Sequence, residues 1–285
     1  MRAARNIAAG TTAAVLACAC ASMAPPLNKT EQQAAAFNQR AARAFDQGDY
    51  RRAAALYEQA LRLNTGVENT EGIAANALSL ARVHQAAGDA VAAHRVLDDL
   101  LAEWPLPVPP PRRAEAQARK AQLYLDAGDA ARAREWSDKA LASCAGCAAL
   151  PAIQTLRGRA ALASGDPAAA LDWVSRALSA TGPGIGPVTS QASERANALR
   201  LAGEARLARG EHHAAVAAIE QALELDRGLG LPSRICLDLM ALGRVQKQLG
   251  NRAAARDYFT RARSVSAAAG DEAGTRAASR AIEGL

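Results

Sequence analysis

The sequence predicts an all-α protein made of repeated helix pairs, and three observations lead to this prediction. Half of the 285 residues are apolar but only 4% are aromatic, and much of the apolar share is alanine, which has the highest helix propensity and little bulk. β-branched and aromatic residues are too sparse for a sheet protein. A Gly-acidic pair, or a close variant of it, recurs about every 40 residues. Such a regular period indicates a repeat architecture.

An export signal is predicted over residues 1–17. Arg2 and Arg5 form its charged start, and the apolar run IAAGTTAAVLA that follows is too short to span a bilayer as a mature helix. Removing this segment lowers the formal net charge from +6 to about +4, with 32 basic residues left against 28 acidic ones. The remainder is mildly basic and has no Lys/Arg block, so nucleic acid is not an expected partner.

The end of the signal, VLAC, resembles the lipobox of bacterial lipoproteins. In that motif the cysteine is lipidated and becomes the new N-terminus, a role that the resemblance gives to Cys18 rather than to Cys20, which has a poorer context. Ala19 at the next position resembles the signal for outer-membrane sorting. The resemblance implies a lipid-anchored protein that faces the periplasm, since two or more acyl chains anchor stably. The alternative is an ordinary cleavable signal and a soluble periplasmic protein. Residues 18–29, with two prolines, are predicted to be a flexible tether.

Six turns divide the rest of the chain into helix pairs, spaced 40, 40, 37, 45 and 40 residues apart. A glycine suits the left-handed residue that ends one helix, and the Asp, Glu or Asn after it can cap the next. The turn glycines are Gly48, Gly88, Gly128, Gly165, Gly210 and Gly250.

Aligning the copies on the turn glycine reveals columns of small residues at helical offsets. Seven residues before it every copy has Ala or Gly, and five residues after it every copy has Ala. Nine residues after it is a position for larger side chains, from Tyr57 in the first copy to Phe259 in the sixth. Small residues let two helices cross closely, and the larger residue fills the gap beside the crossing.

This pattern resembles the tetratricopeptide repeat, in which two antiparallel helices form each unit. The resemblance implies a right-handed superhelical solenoid of about six helix pairs over residues 30–267, followed by a capping helix over residues 268–285. Longer loops, PLPVPPPRR and TGPGIGPVTS, explain why the period exceeds the 34 residues of the family. The third copy departs most, because Ser137 stands in the bulky position with Trp136 beside it as a replacement, and Leu100 occupies a small position in the second copy.

The motif CAGC, from Cys144 to Cys147, lies between the third pair and the fourth. A structural disulfide is the main interpretation, with incidental thiols and a redox or metal role as alternatives. No haem-type histidine follows, and no thioredoxin-like βαβ pattern surrounds the motif. Cys236, in an apolar helix, is expected to be a small buried residue.

No residue pattern predicts an enzyme, a metal site or a cofactor. Zinc-protease, nucleophile-elbow and phosphate-loop motifs do not occur. His84 fits a core position between helices, and His212 and His213 fit a surface helix start. We therefore predict no catalytic residue.

The first helices of the pairs are expected to line the concave face, where basic residues recur at inward offsets. Arginine matches carboxylates and peptide carbonyl groups, so this face is predicted to bind a peptide or protein segment of the cell envelope. The alternative is that these side chains only solvate an exposed face. The predicted groove residues are Arg82, Arg119, Arg159, Arg200, Arg244 and Lys247.

These observations predict a non-enzymatic adaptor that assists assembly, biogenesis or secretion at the envelope. A second hypothesis is a regulatory or docking subunit of a cell-envelope enzyme. The carboxylate clamp that chaperone-binding relatives build from a fixed set of Lys, Asn and Arg residues is not reproduced, so that partner class is not assumed.

Overall fold

The computed structural model describes residues 28–102, 106–181 and 189–285, which form thirteen α-helices and no β-strand. The predicted all-α superhelical solenoid is confirmed. Twelve helices form six consecutive antiparallel pairs, and a thirteenth follows them. The helices are α1 Lys29–Asp46, α2 Tyr50–Gly66, α3 Thr70–Ala86, α4 Ala90–Leu101, α5 Pro110–Asp126, α6 Ala130–Ser143, α7 Leu150–Ala163, α8 Pro167–Ala180, α9 Thr189–Ala208, α10 His212–Gly228, α11 Pro232–Gln248, α12 Arg252–Ala268 and α13 Glu272–Glu283.

The export signal, Cys18, Cys20 and most of the tether lie outside the described residues. Within the described part, none of the helices has the length and hydropathy that crossing a bilayer needs.

The turns between paired helices follow from the Gly-Asp sequence. Gly48 has φ +75°, its N–H donates to the Phe45 carbonyl at 2.9 Å, and Asp49 N–H reaches back to the Ala44 carbonyl at 2.9 Å. Asp49 Oδ1 then accepts from Arg52 N–H at 3.1 Å and caps α2. These bonds satisfy carbonyls that α1 leaves open and donors at the start of α2.

The same side-chain cap recurs in the turns that carry Asp, but not in the fifth and sixth. Glu211 and Asn251 make no cap hydrogen bond, and Asn251 Nδ2 donates instead to Gln246 Oε1 at 2.9 Å. The turn is therefore closed by its backbone, and a side-chain cap is added only in the four turns that carry Asp.

Small residues mark the crossing points within each pair, because the backbones pass there without room for a larger group. A Cβ added to Gly243 would lie 2.3 Å from Phe259 Cε1, and one added to Gly203 would lie 2.3 Å from Ile219 Cγ1. Phe259 and Ile219 are both buried. The large residue of α10 or α12 therefore occupies the space above a glycine.

The third pair closes this gap differently from the sequence interpretation. Ser137 is fully buried in the bulky position, and its hydroxyl donates to the Arg134 carbonyl at 2.8 Å. Trp136 does not replace it, but lies half-buried with its ring centroid 4.2 Å from Lys120 Nζ and 4.3 Å from Lys139 Nζ. An indole at that offset points away from the crossing, towards the cations.

From α3 onward, each first helix contacts the first helix of the next pair as well as its own partner. This arrangement sets α3, α5, α7, α9 and α11 side by side on one face of the solenoid. The final helix, α13, packs on α12 and buries Ala278. Lys247 Nζ donates to the carbonyl of Gly284 at 2.7 Å, which ties the end of α13 to α11.

Candidate protein-binding groove

The face formed by the first helices contains a groove of ≈ 740 Å³. Its walls come from α3, α5, α7, α9 and α11, so each pair from the second to the sixth contributes to it. Polar and apolar side chains alternate along it. The charged lining residues are Arg119, Arg159, Arg200, Arg234, Arg244, Glu115, Glu194 and Glu204.

Four of the six basic residues predicted from the sequence line this groove, and two do not. Arg82 lies near the first pair, with its guanidinium 4.3 Å from the centroid of the Phe45 ring. Lys247 holds the end of α13, as described above. Arg119, Arg159, Arg200 and Arg244 line the groove itself.

Two of the groove arginines bond to the equivalent position of the preceding repeat. Arg159 Nη1 donates to Gln122 Oε1 at 2.7 Å, and Arg244 Nη2 donates to Glu204 Oε1 at 3.1 Å. Both arginines are exposed. Each guanidinium has five donors and uses one of them in the bond described, so both can bond to a ligand as well.

The other two are less accessible. Arg119 Nη1 donates weakly to Gln85 Oε1 at 3.4 Å, and burial followed by the nearby charge of Arg82 lowers the pKa of its guanidinium. Arg200 Nε donates to Asp238 Oδ1 at 2.5 Å, its Nη2 donates to Asp226 Oδ2, and its Nη1 donates to Asn197 Oδ1 at 3.1 Å. Both carboxyl groups are fully buried, so Arg200 is held by the protein rather than presented to a ligand.

Burial perturbs both of these carboxyl groups. Desolvation raises the pKa of Asp238 to about 7, while Arg200 opposes the shift and Asp226 adds to it. Desolvation also raises the pKa of Asp226, against the attraction of Arg200 and Arg234. One guanidinium therefore faces two carboxyl groups that resist ionising together.

Arg234 and Leu237, in the first turns of α11, are groove residues that the sequence interpretation missed. Arg234 Nη1 donates to Asn197 Oδ1 at 2.7 Å and to the Ser193 carbonyl at 3.3 Å. Leu237 is 54% exposed although it is large and apolar. Arg234 lies 16 residues before its turn glycine, the same offset as Glu194. Extending the inward offsets to the first turn of each helix would have found it.

The Cys144 and Cys147 thiols form a disulfide in the short connection between α6 and α7, with Cα atoms 5.1 Å apart. Cys144 is buried against Ala114, Ala140 and Ile153. Ile153 also lines the groove, so the disulfide connection packs directly behind it. This placement fits a structural role for the disulfide, which supports the groove wall at Ile153.

Within the described residues, the remaining cysteine and the histidines are packed into the scaffold or lie on its surface. Cys236 is buried and accepts a hydrogen bond from the Ser266 hydroxyl at 3.0 Å. His94 packs on the Tyr124 ring with centroids 4.7 Å apart, and burial lowers the pKa of its imidazole. His84 is half-buried and His213 is exposed. None of these side chains lines the groove.

Fold and groove together define a helical-repeat scaffold, a class whose extended concave surfaces bind other proteins. Models of the tetratricopeptide repeat match residues 39–71, 78–146 and 151–176. These three segments are therefore recognised as tetratricopeptide repeats, and this part of the predicted resemblance is confirmed. Proteins built from these repeats are typically non-catalytic scaffolds that bind protein partners.

Solved structures share the fold at low sequence identity. BtubC (BKLC) from P. vanneervenii is 20% identical with a TM-score of 0.54, covering 85% of this chain and 93% of that one. PilW, a widely conserved type IV pilus biogenesis factor, is 19% identical with a TM-score of 0.58, covering 88% and 99%. The PH0952 signal-transduction ATPase from Pyrococcus horikoshii, which has a tetratricopeptide repeat sensor, is 13% identical with a TM-score of 0.60, covering 87% and 37%. No curated protein matches the sequence.

Proposed function

We propose that this protein is a non-enzymatic adaptor that binds a segment of another envelope protein in the groove. The groove is the observation that supports the proposal, because five successive first helices line one continuous groove with a volume of ≈ 740 Å³. Pockets of this size can bury most of a small ligand or a short segment of chain. Assembly, biogenesis or secretion at the outer membrane are the processes in which such an adaptor would act.

The lining suggests the chemistry of the segment. Five arginines stand against three glutamates, and Arg159 and Arg244 are exposed. Carboxylate groups on the segment would bond to these guanidinium groups, which present planar pairs of donors. Leu237 offers an exposed apolar contact next to them. The expected ligand is therefore an anionic segment with at least one apolar side chain.

Charge reversal tests the groove. The variant Arg159→Glu/Arg244→Glu should lose partners that photo-crosslinking from a probe at position 237 captures with the wild-type protein. The matched control is Arg252→Glu/Arg256→Glu, which makes the same change in net charge on exposed residues of α12 outside the groove. Equal crosslinking in all three proteins would show that Arg159 and Arg244 do not hold the partner and would contradict recognition of an anionic segment.

We also propose that a lipid on Cys18 holds the adaptor at the outer membrane. Its support is the lipobox-like VLAC sequence and the tether that separates it from the first helix. Cys18→Ala should move the protein from the membrane fraction to the soluble fraction, whereas Cys20→Ala should leave it at the membrane. Release by both variants or by neither would contradict lipidation at Cys18.

A further inference from the structure

Two buried acidic side chains bond to one arginine that lines the groove. Asp226 of α10 and Asp238 of α11, here called the carboxyl pair, are both 0% exposed. Arg200 of α9 donates to one oxygen of each and also lines the groove. One positive charge therefore faces two groups that can each carry a negative charge, in a site that excludes water.

The oxygens that Arg200 does not contact reveal how the pair is arranged. Asp226 Oδ1 and Asp238 Oδ2 are buried and have no hydrogen-bond donor. Because one guanidinium bonds to both carboxyl groups, the two lie side by side in the buried site. Two ionised carboxylates are acceptors only and repel at this range, whereas a protonated one donates to its neighbour. A single proton shared by the pair would supply this missing donor.

Other polar groups near the pair come from α9, α11 and α12. Arg234 of α11 adds a second positive charge on the groove side and bonds to Asn197 of α9. Asn197 Nδ2 in turn donates to Glu194 Oε2 at 3.3 Å. From α12, Ser266 contributes a hydroxyl that donates to the thiol of Cys236. Arg200 and Arg234 are therefore the cations that act on the pair.

We propose that the carboxyl pair holds one proton near neutral pH, and that releasing this proton weakens the binding of an anionic segment in the groove. This inference rests on the proposed function for its second half. With the proton bound, Arg200 and the pair have no net charge. When the proton leaves to water, the same group carries one negative charge directly beneath Arg200 and Arg234. The groove then attracts anions less strongly.

Burial accounts for the pH at which this change occurs. Desolvation raises the pKa of Asp238 to about 7 and raises that of Asp226 as well. Asp226 lies in the last turn of α10, where the negative end of the helix dipole adds to the cost of a second negative charge. The proton is thus released in the neutral range, where exposed aspartates are already ionised.

The proton itself is tested without any ligand, by carbon NMR of the aspartate carboxyl groups between pH 4 and 9. One carboxyl signal that titrates near neutral pH is expected in the wild-type protein, and it should be absent in Asp238→Asn and in Asp226→Asn. Asparagine keeps a donor and an acceptor in place without a charge. Titration of both carboxyl groups below about pH 5 would overturn the proposal.

The effect on binding is tested with an N-terminally labelled peptide of six glutamates and one central leucine, by fluorescence anisotropy at pH 6 and pH 8. The peptide stays ionised at both values, since a glutamate has a pKa of about 4.3. We expect the wild-type protein to bind it about fivefold more tightly at pH 6, the size of effect that one nearby charge has at a partly solvated site. In Asp238→Asn the ratio should fall close to one. The variant keeps all four histidines and therefore controls for them.

The outcomes separate this inference from the proposed function. Peptide binding that Arg159→Glu/Arg244→Glu abolishes, but that is equally tight at both pH values in the wild-type protein, would overturn the effect of the proton on binding while leaving the groove in place. Failure of the peptide to bind at either pH would contradict the anionic-segment function and the affinity change together. The carboxyl titration would still decide whether the pair holds a proton.

Discussion

Two junctions between helix pairs place polar side chains at the same three repeat positions, yet they use different chemistry. Between the first and second pairs, Asn64 Nδ2 donates to Asn76 Oδ1 at 2.7 Å, and Asn76 Nδ2 donates to Asn38 Oδ1 at 2.5 Å. Between the fifth and sixth pairs, the equivalent positions hold Asp226, Asp238 and Arg200. We call these sets the amide junction and the ionic junction.

The two junctions satisfy their buried atoms to different degrees. In the amide junction each amide can donate and accept, and Asn64 also donates to the Ala60 carbonyl at 3.2 Å and accepts from Asn69 at 3.1 Å. In the ionic junction two carboxyl oxygens lack a donor. Neutral groups can thus fill these positions without a proton, whereas two aspartates need one. The comparison teaches that the repeat fixes where polar groups meet, while the residue types decide whether pH affects them.

Removing the cation should break the ionic junction most severely. Arg200→Met leaves two buried carboxyl groups with no direct partner, and we expect a loss of about 3–5 kcal/mol in the free energy of unfolding at pH 8. Urea denaturation followed by circular dichroism measures this loss. The loss should shrink at pH 5.5, where both carboxyl groups can be protonated. A loss that does not change with pH would contradict this account.

Replacing the ionic junction by an amide junction should reduce the pH dependence of the free energy of unfolding. Because the folded-state pKa of Asp238 is raised to about 7, the folded protein binds more protons than the unfolded chain between about pH 4 and pH 7. Stability from this group is therefore present at the acidic end and lost as pH rises through that window, by at most about 4 kcal/mol.

The variant Arg200→Asn/Asp226→Asn/Asp238→Asn tests this difference. Its free energy of unfolding should change less between pH 5 and pH 8 than that of the wild-type protein, whereas Asn38→Gln should leave the pH profile unchanged. Parallel profiles for wild type and triple variant would show that other groups, such as the histidines, set the pH dependence.

Truncating the amide junction should cost less than removing Arg200, because no charge is left behind. Asn76→Ala removes the acceptor of Asn64 Nδ2 in a buried site and the donor to the half-buried Asn38. An expected loss of about 2 kcal/mol corresponds to unpaired neutral polar groups. Amide hydrogen exchange should detect it in α2 and α3 and not in α11. Equal loosening of both ends of the solenoid would contradict a local effect.

The smallest effect is expected at the edge of the amide junction. Asn38 is only half-buried, so water can replace its side chain as acceptor for Asn76. Asn38→Ala should therefore lower the free energy of unfolding by at most about 1 kcal/mol. Comparison of the urea midpoints of Asn38→Ala and Asn76→Ala measures the difference. A larger loss for Asn38→Ala would mean that the bond between these two asparagines dominates the junction.

Much of the fold could be predicted from the sequence because it depends on short-range patterns. The turn glycines, such as Gly48 with φ +75°, and the small residues at the crossings act within one helix pair. The exception was Trp136, since a bulky residue next to the right position does not share its direction on the helix. Four of the predicted arginines line the groove, because the offsets six, nine and ten residues before the turn glycine lie on one face of the first helices.

The partners of those arginines could not be predicted in the same way. Arg200 meets Asp226 and Asp238, which follow it by 26 and 38 residues, and Lys247 meets the end of α13. Asp226 and Asp238 align with Asn64 and Asn76, 16 residues after one turn glycine and 12 residues before the next. Polar residues at both of these positions were the signal that could have located the ionic junction. An aligned column gives a position, but not the direction of the side chain.

The sequence by itself determined the all-helical repeat, its turns, its crossing points and the face on which the basic residues recur. These features follow from helix period and from local backbone conformation, which neighbouring residues control. Only the tertiary structure decided which arginines remain exposed in the groove and which are bonded to buried carboxyl groups. It also decided that two aspartates lie side by side. Burial and the contact between distant helices set those outcomes, because the free energy of a charge depends on its surroundings rather than on its place in the chain.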